Sequence, residues 1–318
     1  MTSVKGFRVE EPATADGLGR GAFVFTDDYS VFDWGTMPET AGVSTHYRGV
    51  VDGGAVVPLP AAGSPPREMA IELTRVPDLP HEGREYDYDA FHAAAGENYL
   101  IPLEIVFRNT VPVGSSLRRR ADPGAFGLAH EIWPDEPVDL PEPVVEFSTK
   151  FEESDRYLDR DEADRIAGRA DVDELATVAR EVDDLVTETA AEAGLKHEDG
   201  KIECLYVDGE VRVADVVGTF DENRFSREGQ QLSKEVVRQY HRRTQAEWVE
   251  AVEAAKAAAE ERDVADWRRL CEAEPEPLPA PVVDAVRDMY SAGANAYLGR
   301  ELFDAPALDE AVGAVRDL

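Results

Sequence analysis

The stretch KIECLYVDGEVRVADVVGTFDENRF, Lys201 to Phe225, carries the reading of this chain. Ile202, Cys204 and Tyr206 alternate with polar residues, Asp208-Gly209 supplies a turn, and Val211 and Val213 resume the alternation, which together predict a β-hairpin. The polar remainder, with Asp199 just ahead of it, is Asp199, Lys201, Glu203, Asp215, Asp221 and Arg224. Such a set supplies hard oxygen ligands for a divalent cation such as Mg²⁺ and cations for phosphate. Spacing alone also fits an ordinary hairpin with a solvated polar face. A strict two-residue turn at Asp208-Gly209 sets Glu203 opposite Ala214 and sends Asp215 to the other face, where the two carboxylates could not share one metal. A bulged or three-residue turn brings both carboxylates to one side, and this is the expected register, since bulges often re-aim side chains beside active sites.

Outward from the hairpin, the composition is acidic. There are 66 Asp and Glu against 33 Lys and Arg, a net charge of -33, and only Lys5, Lys150, Lys196, Lys201, Lys234 and Lys256 are lysine. This charge repels nucleic-acid backbones and anionic membranes. Acid excess with few lysines, on a chain still 43% hydrophobic, suits a surface working in concentrated salt, where self-repulsion is screened. Regular apolar patterns argue against an acidic disordered protein. No N-terminal apolar run resembles a signal peptide and no stretch approaches the roughly 20 apolar residues that span a bilayer, so the chain is read as cytoplasmic. Cys204 and Cys271 are too few for a disulfide framework, and the six scattered histidines give no zinc spacing.

A length of 318 residues allows one to three domains. Short β-like runs fill the first hundred residues at Ala22–Thr26, Tyr47–Val51, Ala55–Leu59 and Glu68–Arg75, with helical patterns nearly absent. After a strand at Leu103–Phe107 the chain becomes mixed. Val172–Ala193 places Leu175, Val178, Val182, Leu185 and Val186 on one helical face closed by Gly194. Leu232–Glu261 reads as a long helix or helix pair, Glu274–Pro281 as a stiff linker and Val282–Leu298 as a helix. The fold class is α+β in two portions.

Five segments in order carry a resemblance. They are Phe25–Gly35 (FTDDYSVFDWG), Leu103–Leu117 (LEIVFRNTVPVGSSL), Val145–Asp155 (VEFSTKFEESD), the Asp199-x-Lys201-x-Glu203 strand with Ala214-Asp215, Asp221 and Arg224, and Leu232–Arg243 (LSKEVVRQYHRR). Together they resemble the SAICAR synthetase family (phosphoribosylaminoimidazole-succinocarboxamide synthases). The resemblance implies a small β-rich N-terminal domain, residues 1–102, covering a nucleotide over a larger α+β domain, residues 103–318, that holds substrate and Mg-ATP and ends in helices. It implies ATP-dependent amide formation of purine biosynthesis: the carboxylate of carboxyaminoimidazole ribonucleotide (CAIR) is phosphorylated, and the amine of L-aspartate displaces phosphate. Its partners are then small molecules, ATP, CAIR and L-aspartate, with a homo-oligomer left open.

By the same resemblance Glu203 and Asp215 are the Mg²⁺-ATP carboxylates, and Lys201 is the cation between nucleotide phosphates and substrate. Lys201 and Asp199 are then the catalytic pair, and Arg108, Ser115, Arg224 and Lys150 the substrate-binding set. A planar Arg fork matches carboxylate or phosphate bidentately. The plain alternative for Arg108 is a strand-face pair with Glu104. The chain departs from the pattern at Asp28, where the family carries a base, and after Thr36–Thr40 (TMPET), where about a helix of residues is missing. Lys5-Gly6-Phe7-Arg8 and Gly17-Leu18-Gly19-Arg20 are both imperfect versions of the family's N-terminal Gly-Lys-x-Arg element. Three readings follow: a working SAICAR synthetase, an impaired homologue that binds nucleotide or a partner protein, and another ATP-dependent carboxylate-amine ligase.

Overall fold

The computed structural model describes residues 5–26, 29, 31–32, 34, 44–52, 55–57 and 62–318, with 44–52 and 55–57 given by their backbone alone. The Phe25–Gly35 element lies only partly within these residues, and Asp28 and Thr36–Thr40 lie outside them.

Alternation near the N-terminus produces an antiparallel sheet from β1 (Lys5–Glu11), β2 (Gly19–Phe25), β3 (Ser44–Asp52), β4 (Ala55–Val57) and β5 (Glu68–Thr74) in the order β1-β2-β5-β3-β4. Phe23, Met69, Ile71 and Leu73 fill its buried face, and Val216 from beyond the hairpin packs into the same cluster, joining this sheet to the rest of the chain. A short ribbon of β6 (His81–Glu82) and β7 (Glu85–Tyr86) leads to α1 (Tyr88–Ala95). That helix was not legible as an alternation. It starts where the Asp87 carboxylate accepts from the Ala90 N–H at 2.9 Å and stops at Gly96, whose φ of 76° suits a residue without Cβ.

The second sheet is built on one long strand. β8 (Asn98–Leu100) and β9 (Leu103–Val111) precede the short α2 (Leu117–Arg120), and β10 (Val138–Thr149) precedes α3 (Arg160–Ala167) and α4 (Val172–Glu192). Next come β11 (Lys196–Val207), β12 (Glu210–Ala214), β13 (Asn223–Arg227) and β14 (Gln230–Gln231). The order is β10-β9-β11-β13-β14, with β12 and β8 paired to the far half of β11. Leu103, Ile105 and Phe107 of β9, Phe147 of β10 and Ile202 and Cys204 of β11 project to one face and form the main core with α1, α3 and α4. The intervening residues face the other way, and apart from Val106 those from Glu104 to Arg108 and from Asp199 to Glu203 that point there are charged. This division by alternation, apolar toward helices and charged away from them, is what creates the candidate site.

Helix α4 opens with Asp171 accepting from the Asp173 N–H at 2.7 Å and is followed by Gly194 at φ 71°. Its buried stripe is Val172, Leu175, Ala176, Ala179, Asp183, Val186 and Ala190. Leu185, expected on that stripe, is 63% exposed. Small alanines take the central positions, so the helix approaches the sheet on a stripe rotated away from Leu185. The Leu232–Glu261 pattern is a helix pair, α5 (Lys234–Thr244) and α6 (Ala246–Glu261), and the Pro-rich run leads into α7 (Ala280–Leu298) and α8 (Leu308–Arg316). Among the described residues no helix is long and apolar enough to cross a membrane.

Candidate active site

The polar face of the second sheet carries Glu104 and Arg108 on β9, Glu146 on β10, Asp199, Lys201 and Glu203 on β11 and Arg224 on β13. Register brings them together. Asp199 lies directly opposite Arg108 on one side and Arg224 on the other. Arg108 is 5% exposed and spends its guanidinium on three partners: Glu146 Oε2 at 2.7 Å, Asp199 Oδ2 at 3.1 Å and the Tyr157 hydroxyl at 2.7 Å. Arg224 donates to both Asp199 oxygens, its Nε at 2.6 Å from Oδ1. Burial alone would raise the Asp199 carboxyl, but Arg224 and then Arg108 overcome it and hold it below the ordinary carboxylate range. Arg120 adds a second base on Glu146 and lies 3.7 Å over the Tyr157 ring. The Glu104–Arg108 pair considered as the plain alternative does not form; Glu104 instead meets lysines.

A second cluster adjoins the first along β11. Lys201 donates to Glu104 and lies 3.5 Å from Glu222 Oε2, while its backbone N–H donates to the Glu222 carbonyl at 3.0 Å. Burial would depress its ammonium, but Glu104, Glu222 and Glu203 reverse the effect and hold it well above the usual lysine range. Lys150 donates to Glu203 and lies 4.0 Å from Glu104. Glu203, 6% exposed, is raised by burial, opposed by Lys150 and reinforced by the Asp215 charge. Asp215 pairs with Lys5 and is held low by Lys5, Lys150 and Lys201 against burial.

The hairpin register differs from expectation. Glu203 pairs with Ala214, Cys204 with Val213 and so on to Val207 with Glu210, a regular two-residue turn. Asp208 and Gly209 have φ values of 51° and 87°, both positive as a type I′ turn requires, so no extra residue is needed. The strand ends at Ala214, and Asp215 itself takes a left-handed φ of 60°, leaving the alternation; its charge adds to the burial that raises Glu203. Among the described residues the interruption on this strand is elsewhere: the β11–β13 register shifts between His197 and Asp199. Among the described residues no three His, Cys, Asp or Glu side chains converge as a ready metal cage. A Mg²⁺ ion needs none, because it binds through one or two carboxylates and takes water and phosphate for the rest. Glu203 and Asp215, each paired with a lysine, fit that donor chemistry.

Ser115 stands apart. It is buried, and its hydroxyl accepts from the Leu117 N–H at 3.3 Å within its own turn. Lys234, at the start of α5, lies 3.4 Å from Asp221 Oδ2. The spacing reading passed over Glu104, Glu146, Tyr157 and Glu222 as members of the network. Period-two alternation from Arg108 points to Glu104, and Glu146 sits in the Val145–Asp155 segment that carried the resemblance; Tyr157 gave no such signal.

A separate buried cluster lies on the helix side of the sheet, behind Asp199. Asp183 of α4 accepts from Asn109 at 2.8 Å and lies 3.3 Å from the His197 ring. Burial, partly offset by Asn109, pushes Asp183 up to about 6. An acid whose folded value exceeds its unfolded value near 4 contributes stability that is complete below about pH 4 and is lost as pH rises through about 6. Asp183→Asn, which keeps the shape and cannot ionise, is therefore expected to raise Tm by a few degrees at pH 8 and by less toward pH 5.5. Thermal melts across that range check it; a gain that is equal at both ends contradicts the burial effect.

Comparison with known proteins places the chain by sequence and fold. The SAICAR synthetase family model matches residues 89–255. An Archaeoglobus fulgidus protein assigned as phosphoribosylaminoimidazole-succinocarboxamide synthase is 39% identical across all of this chain and 99% of its own length. That alignment is 348 positions long for a chain of 318 residues, so the relative has positions with no counterpart here. The Thermoplasma acidophilum phosphoribosylaminoimidazole-succinocarboxamide synthase is 37% identical over 174 residues, 51% of this chain and 58% of that protein. The Saccharomyces cerevisiae SAICAR synthase solved with SAICAR shares the fold at a TM-score of 0.55 and 18% identity, over 95% of this chain and 94% of that one. By sequence match along its whole length, the chain belongs to the SAICAR synthetase family, the phosphoribosylaminoimidazole-succinocarboxamide synthases.

Proposed function

We propose that this chain is a working ATP-dependent ligase that joins CAIR and L-aspartate to give SAICAR, ADP and phosphate. One observation carries the reading: Arg108, Lys201, Glu203, Asp215 and Arg224, singled out by resemblance, fall within two adjoining charged clusters on and beside one sheet face. An unactivated carboxylate is a poor acylating agent because oxide is its leaving group. Transfer of the γ-phosphoryl group of ATP to the CAIR carboxylate gives an acyl phosphate and ADP, and attack by the aspartate amine then forms the amide and expels phosphate. Gathering these anions is mainly a matter of positioning and charge neutralisation.

Residues 1–102 are assigned to covering the nucleotide and residues 103–318 to holding substrate and Mg-ATP. Mg²⁺, held by Glu203 and Asp215, would draw charge from the β- and γ-phosphates. Lys150 and Lys5, which stand beside these carboxylates, would supply cations for the nucleotide phosphates. Lys201, between Glu104 and Glu222, bridges nucleotide and substrate, and Asp199 keeps Arg108 and Arg224 aligned for the substrate's anionic groups, with Ser115 as a short donor.

Purified protein in high salt with ATP, Mg²⁺, L-aspartate and CAIR is expected to release ADP and SAICAR together. Absence of both from folded protein would favour the impaired homologue, and ADP formation with a different carboxylate the third reading. Arg108→Lys is expected to lower kcat/KM by at least about a hundredfold, since a compact ammonium cannot reproduce the planar, widely spaced donors of the guanidinium fork. The exposed Arg243→Lys is the control; equal kinetics for the two would reduce Arg108 to a structural ion pair.

A further inference from the structure

We infer that His197, with Asn109 and Asn223, forms a positioning layer that sets the Arg108–Asp199–Arg224 array from the opposite side of the sheet. The inference rests on the assignment of that array to substrate binding. Each member adjoins one array residue in sequence: Asn109 follows Arg108 on β9, Asn223 precedes Arg224 on β13, and His197 precedes Asp199 on β11 across the register shift at Glu198. Without that shift His197 and Asp199 would share a face. With it, Asp199 meets the arginines while the His197 ring sits among Phe107 and Phe225, its side chain fully buried.

The contacts fix Nε2 as the donor, and burial, by favouring the neutral ring, leaves Nδ1 as the acceptor. Asn223 Nδ2 donates to the Thr219 carbonyl at 3.0 Å, which leaves its Oδ1 as the acceptor 3.0 Å from His197 Nε2. His197 therefore donates from Nε2, and its Nδ1 accepts from the Thr187 hydroxyl at 2.8 Å. Asn109 Nδ2 lies 3.4 Å from the same Nδ1 and 2.8 Å from Asp183. A neutral Nε2–H ring thus ties β9, β11, β13 and α4 together at one level. Burial holds the ring below its ordinary range, favouring the neutral form against Asp183 and Asp199, the charged groups that face it. Gly200 makes room for the layer, since a Cβ there would come within 2.0 Å of Asn223 Oδ1 and 2.5 Å of the Phe107 ring.

The test is steady-state kinetics of the full-length protein in molar KCl. His197→Leu keeps bulk and removes both ring nitrogens; KM for CAIR is expected to rise at least tenfold, with kcat changing less than threefold. His197→Gln, whose amide can donate to Asn223 and accept from Thr187, is expected to return KM to within threefold of the parent. A change in kcat alone, with KM unmoved, would mark a merely structural residue and overturn the inference. Arg108→Lys separates the two levels: its loss of turnover beside an unmoved KM in His197→Leu overturns the positioning role alone, whereas undiminished turnover in Arg108→Lys overturns the array's assignment as well. Should the variants fail to fold, ¹⁵N spectra of the parent's histidine rings decide the point. A neutral Nε2–H tautomer at pH 7 whose shifts move on saturation with CAIR is expected; the other tautomer, or shifts that ignore CAIR, would overturn it.

Discussion

Glu203→Gln and Asp215→Asn are each expected to cut ATP turnover about a thousandfold, roughly 4 kcal/mol of barrier, because each removes one hard anionic ligand from the metal that neutralises the transferring phosphoryl group. Amides rather than alanine are the informative change. Glu203 is buried against Lys150, and Asp215 against Lys5, so truncation would leave a lysine facing empty space and would confuse stability with catalysis. An amide oxygen still accepts from the lysine, so Tm should stay within a few degrees of the parent. Raising Mg²⁺ should recover part of the lost rate, as expected of a weakened ligand. Turnover within a few-fold of the parent for either variant would remove that residue from the metal site.

Dilute buffer is expected to unfold the protein, with Tm rising steeply as KCl goes from about 0.1 to several molar. A net charge of -33 on 318 residues repels itself, and the screening length falls from about 10 Å at 0.1 M to about 3 Å at 1 M. The internal pairs around Asp199 and Glu203 are buried and feel this screening far less than the surface. A Tm that is flat or falls with KCl would contradict the reading of the surface.

The charged face was legible because alternation and charge coincide there. Ile202 and Cys204 had to point one way, so Lys201 and Glu203 had to point the other. Their partners were less legible, since Glu104 lies 97 positions before Lys201 and Lys150 lies 53 before Glu203, and only the pairing of β9 with β11 brings Glu104 alongside. Asp215 shows the limit of period counting. Reasoning from a strand that ran through it required a bulge at the turn, whereas the chain simply leaves the strand at Ala214 with a left-handed residue. The bulge that does exist, at Glu198, has no glycine or proline to announce it. Helix α4 was found by its apolar period, but the alanines that determine which side packs closest carry little weight in such a count.

The site's cations are matched by carboxylates of the same chain: Lys5 by Asp215, Lys150 by Glu203, Lys201 by Glu104, and Arg108 and Arg224 by Asp199. In brine this has a bearing on selectivity. An open cluster of lysines and arginines bathed in molar chloride would carry chloride most of the time, and each nucleotide would have to evict it. Here the competitor for every cation is a tethered carboxylate, present at a fixed effective concentration whatever the solvent contains. Under the proposed function, halide would be held off by occupancy, and admission would be reserved for polyanions that arrive with a divalent ion able to claim Glu203 and Asp215.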